Sequence, residues 1–129
     1  MSMLGVIRRL SYPQHAYAFL WKGFALMASM FFLFGAKGTP LGRVAEEFGA
    51  ALGVEMESRD SAYKGGEYYL GISEDRKVSV ESNWMDEEGE MAEPEFRDYD
   101  VLVYVESLTS QEISTPSHSD FVLLRVEEL

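Results

Sequence analysis

Two alternating runs joined by a short charged turn constrain this chain more than any other feature. In Glu67-Tyr68-Tyr69-Leu70-Gly71-Ile72, Tyr68, Leu70 and Ile72 share one face, with Glu67, Tyr69 and Gly71 on the other. In Val78-Ser79-Val80-Glu81-Ser82-Asn83-Trp84, Val78, Val80, Ser82 and Trp84 share a face and Ser79, Glu81 and Asn83 lie opposite. A period of two is that of a β-strand. The pair therefore predicts a central hairpin turned by Ser73-Glu74-Asp75-Arg76-Lys77. The paired glycines Gly65-Gly66 give the backbone freedom for a bulge or a sharp bend at its start.

A helical period occurs upstream. Leu41, Val44, Ala45, Phe48 and Leu52 fall on one face of a 3.6-residue repeat, with Arg43, Glu46 and Glu47 on the other. Thr39-Pro40 predicts the start, a hydroxyl N-cap followed by proline at the first helical position, and Gly53 the end. The helix is expected over about 40–52.

The remaining apolar runs read as strands. Met30-Phe31-Phe32-Leu33-Phe34 is short, rich in aromatics and followed by Gly35, which predicts a buried strand stopping there. Val54-Glu55-Met56-Glu57-Ser58 alternates and predicts a strand with one wet face, followed by a polar loop over Arg59–Ala62. Val101-Leu102-Val103-Tyr104-Val105 is nearly continuous and predicts a strand covered on both faces; Phe121–Val126 predicts a closing strand. Between these two, Ser107–Asp120 is rich in Ser, Thr and Pro, with room for a short helical turn at 110–113 before Pro116. The fold class expected is α+β: one main helix on a mostly antiparallel sheet of five to six strands, in the order β-α-β-β-β-β-β, forming a single domain over 28–129.

Residues 1–27 read as a basic, hydrophobic extension outside that domain. Residues 16–36 span 21 positions whose one charged residue is Lys22, and Arg8 and Arg9 precede them, so a membrane segment competes with the strand reading. A membrane contact is expected only through that stretch. It would make the chain membrane-anchored, whereas the strand reading goes with a cytoplasmic protein.

Charge is divided unevenly. Residues 1–40 hold Arg8, Arg9, Lys22 and Lys37 and no acid, a net +4; the other 7 bases and all 22 acids lie in 41–129, a net −15 within a whole-chain −11. Such a domain repels phosphate backbones and anionic lipid, which argues against nucleic acid and favours a basic protein partner or simple solubility. The absence of cysteine excludes a disulfide scaffold, thiolate metal sites and a cysteine nucleophile.

The acids concentrate in Asp86–Asp100, with eight acids and one base in 15 residues. An EF-hand register counted from Asp86 fails, because position 6 is Met91 and position 12 is Arg97. A solvated loop, a docking surface for a basic protein and a non-standard cation site stay open as readings. The candidate partner-binding residues are Asp86, Glu87, Glu88 and Glu90 in the loop, Asn83 and Trp84 just before it, and Tyr63, Tyr69 and Tyr99 as exposed aromatics, the residue type that anchors interfaces. The apolar strand face of Trp84 equally reads as core.

No catalytic motif is complete. Gly35-Ala36-Lys37-Gly38-Thr39 lacks the spacing of a phosphate loop, and Ser117-His118-Ser119-Asp120 places triad residue types side by side in sequence rather than convergent in space. His15 is the other histidine. No cofactor, established metal site or enzyme activity is expected; the alternatives are a membrane-anchored extracytoplasmic domain of structural role, resting on 16–36, and a small enzyme, which would need a buried carboxylate pair in a pocket.

The run Tyr63-Lys64-Gly65-Gly66-Glu67-Tyr68-Tyr69, its continuation to Asn83-Trp84, the acidic balance and the order of elements resemble small uncharacterised bacterial α+β proteins, some of immunity-protein type. The resemblance covers residues 30–129. It implies a non-enzymatic inhibitor that covers the active site of a basic toxin or nuclease with an acidic surface.

Overall fold

The computed structural model describes residues 29–108, 115–117 and 120–128. The elements are β1 (Met30–Ala36), α1 (Leu41–Leu52), β2 (Glu57–Ser61), β3 (Gly66–Ile72), β4 (Arg76–Ser82), β5 (Val101–Ser107) and β6 (Phe121–Glu128), with single 3₁₀ turns at Ala62–Lys64 and Pro94–Phe96. The fold is α+β, with one helix and a six-stranded sheet whose paired strands are all antiparallel.

Spatial order in the sheet is β2-β3-β4-β5-β1-β6. It departs from chain order at one place: β1 is inserted between β5 and β6, so the strand nearest the N-terminus closes on the two nearest the C-terminus. β1 is paired on both edges and also covered on both faces over its middle: Phe32 and Leu33 are both fully buried although they point to opposite faces.

Alternation sorts one face toward the helix. Phe32, Phe34, Val78, Val80, Val103 and Val105 form its centre, and α1 lays Val44, Ala45, Phe48 and Leu52 upon them. Phe48 is the hub, with its ring 5.2 Å from those of Phe34 and Phe121. Burying a side chain of this size contributes on the order of 2–3 kcal/mol.

The helix begins one residue later than its sequence suggests. Pro40 occupies the N-cap, with no side-chain hydrogen bond there, and its carbonyl accepts from the N–H groups of Arg43 and Val44. The Thr39 hydroxyl instead donates to Asp120 Oδ2 at 3.4 Å, tying the β1–α1 connection to the start of β6. At the other end Gly53 takes a left-handed φ of 68°, as a helix-terminating glycine does.

Four strand expectations are corrected. β1 does not stop before Gly35; it runs through Gly35 to Ala36. The strand expected at 54–58 lies at Glu57–Ser61, and the expected polar loop 59–62 is therefore mostly strand. Val54 and Met56 alternate for another reason: they sit against the small Gly49 and Gly71, beneath the helix. The β3–β4 turn is tighter than expected, with Arg76 and Lys77 already in β4, and β4 ends at Ser82, before Asn83 and Trp84. β6 carries a bulge at Leu33/Phe34, where Leu124 is the extra residue, so that Leu123 and Val126 both reach the helix side.

Residues 30–36 of the stretch 16–36 are β1. The rest of that stretch up to residue 28, the extension 1–27, and the expected turn at 110–113 lie outside the described residues. Among the described residues no helix is long and apolar enough to cross a membrane.

Candidate functional site

The face of the sheet away from α1 is where the polar and aromatic side chains converge. Alternation places Phe31, Leu33 and Gly35 of β1, Tyr68 and Leu70 of β3, Lys77, Ser79 and Glu81 of β4, and Leu102, Tyr104 and Glu106 of β5 on it. The segment 83–100 folds over one end. Tyr99 lies against Gly35, where a Cβ would come within 2.7 Å of the ring, and Leu33 and Leu102 are fully buried on this side of the sheet.

That segment is built around Asn83, only 6% exposed. Its side-chain NH₂ donates to the carbonyls of Glu93 (3.3 Å), Phe96 (3.1 Å) and Tyr99 (3.1 Å), and its Oδ1 accepts from the N–H of Glu93 (2.9 Å). The acidic tip is a turn of its own. Asp86 Oδ1 accepts from the N–H groups of Glu88 and Glu90, each at 2.9 Å, Gly89 takes φ 83°, and Met85 pairs with Met91 across the turn. Asp86, Glu87, Glu88 and Glu90 all point to solvent.

The uncovered part of the face forms an open cleft of about 500 Å³. Its floor dips at Ser79, a small residue flanked across the strands by Tyr104 and Leu70. Phe31, Tyr68 and Tyr104 wall it, and the rings of Phe31 and Tyr104 stand 6.0 Å apart. Each cation here has a carboxylate. Lys64 Nζ donates to Glu81 Oε2 at 3.1 Å, with Ser79 Oγ donating to the same oxygen, while Lys77 lies 3.9 Å from Glu106. Two cations also sit over rings: Lys64 over Tyr68 at 5.2 Å and Arg125 over Phe31 at 5.9 Å.

Glu93 joins the acidic segment to the cleft. One carboxylate oxygen accepts from the Tyr104 hydroxyl at 3.0 Å, the other from Arg125 Nη1 at 3.2 Å. Burial, and then the Glu93 charge and its hydrogen bond, push the Tyr104 phenol well above the ordinary tyrosine value. At the other end of the segment Trp84 lies over Gly65, next to Lys64. The acidic segment thus adjoins the cleft at two points, through Glu93 on Tyr104 and through Trp84 on Gly65.

The sequence-derived candidates divide accordingly. Tyr63 is 92% exposed, near the Lys64 side of the cleft. Trp84 and Tyr99 are half-buried packing residues, over Gly65 and Gly35 respectively, and Tyr99 also carries Lys37 at 5.3 Å. Tyr69 faces the helix side, packed near Gly42 and the core, so it does not join the others. Asn83 is buried, and its side chain hydrogen-bonds to the backbone of the loop. Phe31, Tyr68, Glu81, Glu93, Tyr104 and Arg125 share no local motif, because five strands and a loop contribute them. The signal present was the period of two that put Tyr68, Leu70 and Ile72 on one face. His118 lies outside the described residues. Comparison of the chain with protein-family models, with curated proteins and with solved structures finds no match.

Proposed function

We propose that this chain is a non-enzymatic, acidic protein-binding module, of the kind that inhibits a basic toxin or nuclease by covering it. The observation that carries the reading is that the acidic segment is folded. Asn83 fixes its base, Asp86 closes its tip, and Glu87, Glu88 and Glu90 project from a constrained turn. A solvated acidic loop has no need of such scaffolding. A preorganised one avoids much of the ordering cost of association. The surplus of acids steers a basic partner toward the surface, with attraction that salt weakens over a Debye length of about 8 Å at physiological ionic strength.

The test uses the full chain as bait in native lysate, beside a Glu87→Gln, Glu88→Gln, Glu90→Gln variant. A basic protein retained in stoichiometric amount at low salt, released as salt rises, and held at least about tenfold more weakly by the variant is the expected result. Retention insensitive to both salt and neutralisation would sink the proposal.

A further inference from the structure

We infer that the cleft over Ser79 is the socket for a lysine or arginine side chain of a basic protein partner, which takes the Glu81 carboxylate over from Lys64. The inference rests on the binding-module reading and gives it an anchor point. Three features of the cleft suit a cation. The rings of Phe31, Tyr68 and Tyr104 line it, and aromatic faces attract cations. Two of those rings already carry cations of this chain, Lys64 and Arg125. The Glu81 carboxylate, with its side chain only 13% exposed, is held at the floor by Ser79 and Lys64.

Charge selects the partner. Within the cleft, Lys64 and Lys77 are offset by Glu81 and Glu106, so the cleft itself is close to neutral. The neighbouring segment from Trp84 to Glu93 adds Asp86, Glu87, Glu88 and Glu90 without a base of its own, while its Glu93 is paired with Arg125. That net negative charge beside the cleft repels an anionic ligand and attracts a basic one. Ile72, 67% exposed on the same face of β3, supplies apolar contact beyond the socket. Lys64 is the resident occupant. Its side chain is 38% exposed, so its displacement returns the ammonium to water rather than stranding it.

The experiment uses ¹⁵N-labelled full chain titrated with a short oligolysine peptide and followed by amide shifts. The largest shifts are expected at Ser79, Glu81 and Tyr104. Lys64→Met should tighten binding several-fold, while Arg43→Met, the same charge change on the outer face of α1, leaves it nearly unaltered. Tyr68→Leu, at a half-buried position, should weaken binding about tenfold, with the urea midpoint measured beside it to separate lost binding from lost folding. Shifts confined to residues 84–95, with Lys64→Met and Tyr68→Leu both neutral, would overturn the socket and leave the acidic turn as the whole surface. Shifts in the cleft that persist undiminished in the Glu87→Gln, Glu88→Gln, Glu90→Gln variant would support the socket and remove the acidic-turn reading. Absence of any binding would overturn both.

Discussion

The side-chain oxygen of Asn83 accepts a hydrogen bond from the backbone N–H of Glu93, ten residues further along, at 2.9 Å. The same side chain satisfies three carbonyls through its NH₂ group, and the Glu93 carboxylate in turn holds Tyr104 and Arg125. One buried amide therefore fixes both the acidic segment and one wall of the cleft. Asn83→Ala leaves a buried N–H and three carbonyls short of partners, and a loss of about 3 kcal/mol is expected in urea unfolding. Asn83→Asp keeps the acceptor but turns oxygen toward three carbonyl oxygens, so its loss should be at least as large. Faster hydrogen exchange at the Glu93 amide should accompany both. A change below about 0.5 kcal/mol, the range of ordinary surface substitutions, would show that the segment does not depend on this residue.

Tyr104 makes the fold sensitive to alkali. Its phenol titrates higher in the folded protein than the ordinary value of 10.0, chiefly through burial and secondly through the neighbouring Glu93 charge. Below pH 10 both folded and unfolded chains keep the proton, so its contribution is fully present. Above pH 10 the unfolded chain releases the proton first, and stability falls as pH rises. Tyr69 shifts in the same direction, through lost hydration and then the charge of Glu67. The urea midpoint should thus decline from pH 9 to pH 11, and Tyr104→Phe should make the decline shallower. An identical pH slope in the variant would mean that Tyr104 titrates as if unfolded.

These two residues also mark how far the sequence could be read. The helix was legible because Leu41, Val44, Ala45, Phe48 and Leu52 repeat at its own period and meet a flat apolar sheet. The hairpin was legible because Tyr68–Ile72 and Val78–Ser82 are local partners. β2 was misplaced because Glu57–Ser61 is polar and largely exposed, while the alternation of Val54 and Met56 reports their fit against Gly49 and Gly71. The insertion of β1 between β5 and β6 left no local trace, since both pairings span most of the domain. The cleft was hidden for the same reason: Phe31, Tyr68, Glu81 and Tyr104 become neighbours only after four strands are in register. The burial of Asn83 is not legible either, because a buried polar hub and an exposed polar contact use the same residue type.

Gly35 lies within β1 rather than at its end, and its role there is steric. A Cβ there would stand 2.7 Å from Tyr99 Cγ and 2.8 Å from Leu124 Cδ1. The glycine admits the Tyr99 ring close against β1. Gly35→Ala should destabilise by about 1–3 kcal/mol through overpacking. Pairing it with Tyr99→Leu should cost less than the sum of the two single changes, because the second change removes the ring that the new methyl group would strike. Strict additivity in a double-mutant cycle would mean that the two sites do not meet.

Gly53 and Gly65 separate two reasons for keeping glycine. Both adopt left-handed backbones, φ 68° at Gly53 and 78° at Gly65. A side chain at Gly53 would meet nothing within 4 Å, whereas at Gly65 a Cβ would lie 2.5 Å from Trp84 Cγ. Gly53→Ala therefore carries conformational strain alone, about 1 kcal/mol. Gly65→Ala carries that strain and a clash with an indole that cannot retreat without lifting the chain at the base of the acidic segment. Its loss should exceed that of Gly53→Ala by about 1–2 kcal/mol, with a change in Trp84 fluorescence that Gly53→Ala lacks. Trp84→Ala should bring the two alanine variants to the same cost. If Gly65→Ala stays the more damaging in that background, its penalty arises from the backbone rather than from the indole above it.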